Sequence, residues 1–195
     1  MRTIHVDQIR DALAVLCWKA CYYLPEDILD AFQEATKTEQ SPLGKSILEQ
    51  MLDNARIAAE ENRPYCHDTG LAVVFAEVGQ DVHVAGGSFE DAVNAGIRKG
   101  YKEGYLRNSV VGDPLIRNNT NDNTPGIIHT KLVPGDQIKL TVLPKGGGSE
   151  NMGAMKFLLP GEGSEGVKSF VLETIKAAGG RACPPLVVGV GIGGS

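Results

Sequence analysis

Hydrophobic residues keep a helical period from the start of the chain to Pro64 and abandon it after Gly70. A chain that changes period in this way must pack helices against sheet rather than build a bundle or an all-β barrel. Ala12, Leu13, Val15, Leu16 and Trp18 mark one helix, Pro25 with Glu26 and Asp27 opens a second, and Ser41-Pro42 opens a third running through Ile47 to Ala58. Beyond Gly70, LAVVFAEV and DVHVA are short β-branched runs separated by Gly79-Gln80, the pattern of a hairpin. Ser88 then caps a helix over SFEDAVNAGIRKGYKEGYL, whose Glu90 and Asp91 suit the positive end of the helix dipole.

Residues 108–126 are crowded with Asn, Asp, Thr, Pro and Gly and sustain neither period. The strand-like IIHTKLV and QIKLTVL follow, so this long loop lies inside a domain, where loops of such length usually carry function. PKGGGSEN, a helix through Val167 to Ala177 and the apolar strand LVVGVGIGG complete the order. The expected class is α/β: a helical N-terminal layer over residues 1–62 packed on mixed β-sheets within residues 63–195. The domain is expected to be incomplete, because the chain stops after a Gly-rich turn where an α/β protein normally begins a helix.

A net charge of −5 and the lack of a Lys/Arg cluster exclude a general nucleic-acid surface. No leader-like start and no membrane-length apolar run appears, so the expected location is cytoplasmic. Cys17, Cys21, Cys66 and Cys183 are too scattered for a disulfide framework. The first two sit four apart on a helical pattern and are expected to be buried rather than ligating.

Two motifs hold the other cysteines. PYCHDTG places a thiol, an imidazole and a carboxylate on Cys66, His67 and Asp68, in a turn between helix and strand. Such a thiolate can bind metal or act as a nucleophile, while a buried loop cysteine with Asp68 capping the turn is the plain alternative. RACPPLVVGV fixes Cys183 ahead of two prolines. PKGGGSEN can converge backbone N–H groups on an anion with Lys145 beside them, or be a flexible turn; it does not match a P-loop. Gly189, Gly191 and Gly194 satisfy G-x-G-x-x-G, but without the helix and acidic residue that a dinucleotide site requires. His83 and His129 lie in alternating strand patterns and are not claimed as ligands, and no half-site for zinc is present.

In this order, PYCHDTG, NTNDNTPGIIHTKLVPGD, PKGGGSENMGAMKFL and CPPLVVGVGIGGS resemble the α subunit, or N-terminal region, of class I fumarase and L(+)-tartrate dehydratase-type iron-sulfur hydro-lyases. The resemblance implies a [4Fe-4S] cluster held by three cysteines, with Cys66 and Cys183 as two ligands and the third absent from this chain. It also implies Asp68 as a catalytic carboxylate, with substrate binding by His67, Asp68, Arg107, Gly148 and, from its place in the pocket loop, Lys145. His67 departs from the family's pattern, in which Gln follows the first cysteine. Reversible addition or removal of water on a small 2-hydroxy dicarboxylate, fumarate/malate or tartrate/oxaloacetate, is the implied reaction. A separate β subunit and an oligomer are the implied partners, and the isolated polypeptide is expected to be inactive. Two other readings stand beside this one: an inactive structural or assembly module, and a dinucleotide-binding domain.

Overall fold

The computed structural model describes residues 1–193, so Gly194 and Ser195 lie outside it. The fold divides into two compact units, Met1–Lys145 and Gly146–Ser195. Among the described residues, no helix is long and apolar enough to cross a membrane.

The first unit opens with a short strand, β1 (Arg2–His5), which the helical reading of the N-terminus does not anticipate. Three helices follow: α1 (Val6–Tyr22), α2 (Glu26–Thr38) and α3 (Pro42–Glu61). Ser41 caps α3 by accepting from the Gly44 N–H at 3.3 Å, and Pro42 occupies the first turn. Asn62 ends α3 in the left-handed conformation that Asn tolerates. Strands β2 (Leu71–Gly79) and β3 (Val82–Ala85) precede α4 (Phe89–Glu103), which Ser88 caps through the Asp91 N–H at 3.3 Å. The long loop then runs to β4 (Ile127–Val133) and β5 (Ile138–Lys145).

The expected hairpin between β2 and β3 does not form. Strand β2 is the centre of a mixed sheet of order β4-β2-β5, parallel to β4 and antiparallel to β5, while β3 pairs in parallel with β1. The cause lies in the turn after β2. N–H groups of Gly79, Gln80 and Asp81 donate to the carbonyls of Gln137, Val133 and Gly135 in the β4–β5 connection, and Asp81 accepts from the Arg2 N–H. The turn therefore hands the chain to the opposite sheet instead of folding it back.

One face of β2 supplies Ala72 and Val74 to the core, where they meet Ile9, Leu13, Cys17 and Cys21 of α1 and Val93, Ile97 and Tyr101 of α4. The helices of the N-terminal layer thus do different work. Helix α1 packs on the sheet, whereas α2 buries no residue fully and lies against α3. The α1–α4 contact is unusually close because α4 carries Gly96, Gly100 and Gly104 at four-residue spacing on one face. A Cβ at Gly96 would stand 2.7 Å from the Arg10 carbonyl, at Gly100 2.6 Å from the Ala14 carbonyl, and at Gly104 2.7 Å from Trp18 Cβ. Gly96 and Gly100, inside the helix, weaken it in isolation by about 1 kcal/mol each relative to alanine, whereas Gly104 is its C-cap, and near-contact of the two backbones offsets that loss here.

In the second unit, α5 (Gly147–Glu150) is a single turn built from the Gly-rich motif, and α6 (Gly163–Ala178) spans the expected C-terminal helix. The expected strand LVVGVGIGG is not a strand over its described residues, 186–193. Among the described residues of this unit there is no strand, so the apolar run has no ladder within it to join.

Gly100→Ala is expected to destabilise the protein by about 1 to 3 kcal/mol through overpacking of the α1–α4 seam. Gly112→Ala, whose new Cβ would meet only the Asn118 carbonyl at 3.8 Å, should change stability by less than about 0.5 kcal/mol. Chemical denaturation of both variants compares the two.

Candidate functional site

Three segments of the first unit converge where β2 and β4 begin and β5 ends. Cys66, His67 and Asp68 sit in the loop entering β2; Lys145 closes β5 directly opposite Leu71; and the long loop delivers Ile127 beside Val73. Sequence reading singled out Cys66, His67, Asp68, Arg107 and Lys145, and the topology brings all five to this end of the sheet. Gly148 and Cys183 belong to the second unit.

The loop carrying Cys66 is pinned at both ends. Upstream, the Tyr65 N–H donates to the Cys21 carbonyl at 3.0 Å, its hydroxyl donates to the Ala20 carbonyl at 3.1 Å, and Asn54 Nδ2 donates to its carbonyl at 2.7 Å. Downstream, the buried Tyr101 hydroxyl reaches the carbonyls of Thr69 at 3.0 Å and Gly70 at 3.3 Å. Burial pushes that phenol well above its ordinary range, so it remains a donor. Between these anchors Cys66 and His67 are exposed and Asp68 is half-buried. A rigid frame thus presents reactive side chains outward.

Arg107 joins the loop through its backbone. Its N–H donates to Thr69 Oγ1 at 2.9 Å, and the Thr69 hydroxyl donates back to the Arg107 carbonyl at 3.3 Å. Among the described residues, no carboxylate pairs with its guanidinium. A planar cation so placed is suited to gripping a carboxylate in two parallel hydrogen bonds.

Much of the Asn-rich loop is devoted to its own shape. Asn108 Nδ2 donates to the Asn121 carbonyl at 2.9 Å, Asn119 Nδ2 to the Asn108 carbonyl at 3.0 Å, and Gly126 N–H to Asn94 Oδ1 at 2.9 Å. Arg117, Asn121 and Asn123 take the left-handed conformation, which suits the two asparagines. Asn123 is wholly buried, donating from Nδ2 to the Gly70 carbonyl at 3.1 Å and accepting from the Ser109 N–H at 2.6 Å. Thr69, Tyr101 and Asn123 were not identified from sequence; the one available signal was a run of Asn in a loop too long to be idle.

The four cysteines divide by environment. Cys17 and Cys21 are buried in α1, and burial, aided by a neighbouring thiol in each case, pushes both thiols up to about 12. At neutral pH they are inert. Cys66 and Cys183 are exposed, Cys183 with a left-handed backbone after the 3-10 turn Gly179–Ala182. These two fit thiolate ligation by their accessibility. Among the described residues, no group of three or more His, Cys, Asp or Glu side chains is gathered to hold a metal ion, so a three-thiolate set is not assembled there. Gly189 and Gly191 lie outside any strand and Gly194 outside the described residues, leaving the dinucleotide fingerprint without its strand.

Tyr101→Phe removes the donor to the Thr69 carbonyl and should lower stability by about 1 to 2 kcal/mol in denaturant titrations, with helical content retained. The loop also carries an acid-sensitive contact. Burial alone would raise the Asp122 carboxyl, but hydrogen bonds from Arg98 Nε at 2.8 Å and from Thr124 hold it down at about 2. Because the folded value is depressed, this stabilisation is complete above the ordinary aspartate value of 3.8 and is lost as pH falls through about 2. The difference in denaturation midpoint between the native chain and Asp122→Asn should therefore shrink across that interval.

A sequence model of the family described as fumarate hydratase (Fumerase) matches residues 10–195. The putative L(+)-tartrate dehydratase subunit alpha of Methanocaldococcus jannaschii is 41% identical over 194 residues, covering 96% of this chain and 68% of that protein. The L(+)-tartrate dehydratase subunit alpha of Escherichia coli K12 is 33% identical over 172 residues, covering 87% of this chain, which spans 56% of that protein's length. The Shigella boydii protein of the same name matches to the same extent. With the family pattern running through nearly every residue from α1 onward, the chain belongs to the fumarate hydratase (Fumerase) family.

Proposed function

We propose that this chain forms the α-subunit portion of a cytoplasmic iron-sulfur hydro-lyase that reversibly adds or removes water on a small 2-hydroxy dicarboxylate. The observation that carries the proposal is the backbone tie between Thr69 and Arg107, which joins a residue chemically suited to bind a carboxylate to the loop of Cys66, His67 and Asp68. Family membership supplies the reaction class, and the relatives' naming as α subunits supports a β-type partner.

In this reading Cys66 and Cys183 would each give a thiolate to a [4Fe-4S] cluster. When bound, the cluster supplies a Lewis acid for the departing or arriving hydroxyl. Arg107 grips one substrate carboxylate and fixes the diacid's orientation. Asp68, half-buried next to the loop's anchored end, is the catalytic carboxylate. His67 donates a hydrogen bond to substrate in place of an amide. Lys145 adds positive charge opposite Leu71, and the backbone N–H of Gly148 approaches the substrate.

The test is anaerobic reconstitution of the full-length α subunit with its β-type partner, iron and sulfide, followed by assays of tartrate dehydration and fumarate hydration. Turnover of one diacid is expected, with Cys66→Ser abolishing it. Arg107→Lys should raise KM about tenfold or more, the effect of losing one arm of a bidentate contact. Lack of turnover on either diacid by a complex that carries its cluster would overturn the proposal.

A further inference from the structure

We infer that Asn123 is a positioning residue for the substrate-binding Arg107, acting as a rigid strut between the two segments that carry the reactive side chains. The inference rests on the hydro-lyase reading above, but its geometry is independent of it. Asn123 has no accessible surface, and both ends of its carboxamide are engaged by backbone: Nδ2 with the Gly70 carbonyl and Oδ1 with the Ser109 N–H at 2.6 Å. Gly70 lies two residues past Asp68, and Ser109 two residues past Arg107. Thr69 ties the same two segments through the Arg107 N–H and carbonyl. Arg107 is thereby held at its own N–H and carbonyl by Thr69 and two residues further on by Asn123, and its long side chain starts from a fixed Cα.

The choice of residue follows from the site. A strut here must donate at one end, accept at the other and adopt φ of +58°. Asparagine meets all three requirements, because its short amide tolerates the left-handed region and offers both a donor and an acceptor. Aspartate retains the acceptor for Ser109 but, when ionised, opposes the Gly70 carbonyl. Glycine retains the backbone conformation and removes the strut. A bond length of slack at such a point moves the substrate-binding cation of Arg107 by enough to impair catalysis without unfolding the domain.

Two measurements decide the matter. Amide hydrogen exchange on the 195-residue chain should show Arg107 and Ser109 exchanging about tenfold faster in Asn123→Gly, as expected for loss of one buried hydrogen bond, with amides of α1 and α4 unchanged. Asn123→Asp, which preserves side-chain volume, should show the same direction if the glycine variant folds poorly. In the reconstituted α–β assembly, Asn123→Gly should raise KM about tenfold and lower kcat less, and this effect should vanish in an Arg107→Lys background. Unchanged exchange at Arg107 and Ser109, or an equal loss of kcat/KM in both backgrounds, would overturn the inference. Failure of the wild-type assembly to turn over would instead remove the hydro-lyase reading, and the exchange data would still decide whether the amide joins the two segments.

Discussion

Close approach of α1 and α4 is the constraint on which the rest of the first unit depends. Without a Cβ at Gly96, Gly100 and Gly104, the helices meet backbone to side-chain root, and Tyr101 is carried in beneath the loop that enters β2. The same seam buries Cys17 and Cys21 and places the carbonyls of Ala20 and Cys21 where Tyr65 can use them. Packing thus decides which cysteines are core and which backbone groups are left to hold the loop of Cys66.

From there the site is built mainly by hydrogen bonds to backbone. Thr69, Tyr101 and Asn123 are buried side chains whose partners are carbonyls or N–H groups of the loops they join. Among the described residues, no buried side-chain nitrogen or oxygen lacks a partner. Buried polar groups that are fully satisfied rigidify their surroundings, whereas losing one leaves a desolvated group exposed to its full penalty. The outward-facing residues Cys66, His67 and Arg107 therefore stand on a frame that does not depend on their own contacts.

Periodicity and capping made the helices legible: Ser41, Ser88 and the apolar stripes correctly marked α3, α4 and the sheet-packed α1, and the burial of Cys17 and Cys21 followed from their spacing. Strand pairing was not legible, because Gly79-Gln80 satisfies hairpin chemistry while its N–H groups are taken by residues 133–137, a contact distant in sequence. The apolar run before Ser195 reads as a strand on composition, yet strand formation depends on a neighbour rather than on the run itself. At the site, Cys66, His67 and Asp68 stand together in PYCHDTG, while Arg107, in GYLRNS, is reached only through the family resemblance. Their supports were not legible, since Thr69, Tyr101 and Asn123 are ordinary residues until the fold brings them together. The glycine seam was hidden for the same reason: glycine inside a helix signals weakness until the partner backbone is known.

Under the proposed function Arg107 holds a dicarboxylate at a cluster to which Cys66 and Cys183 would give thiolates. The most direct measurement is an experimental structure of the anaerobically prepared α–β assembly with a non-reactive four-carbon diacid bound. The account expects the Sγ atoms of Cys66 and Cys183 on iron and both Arg107 terminal nitrogens within hydrogen-bond distance of one carboxylate. A cluster held without Cys66, or a diacid bound away from Arg107, would contradict it.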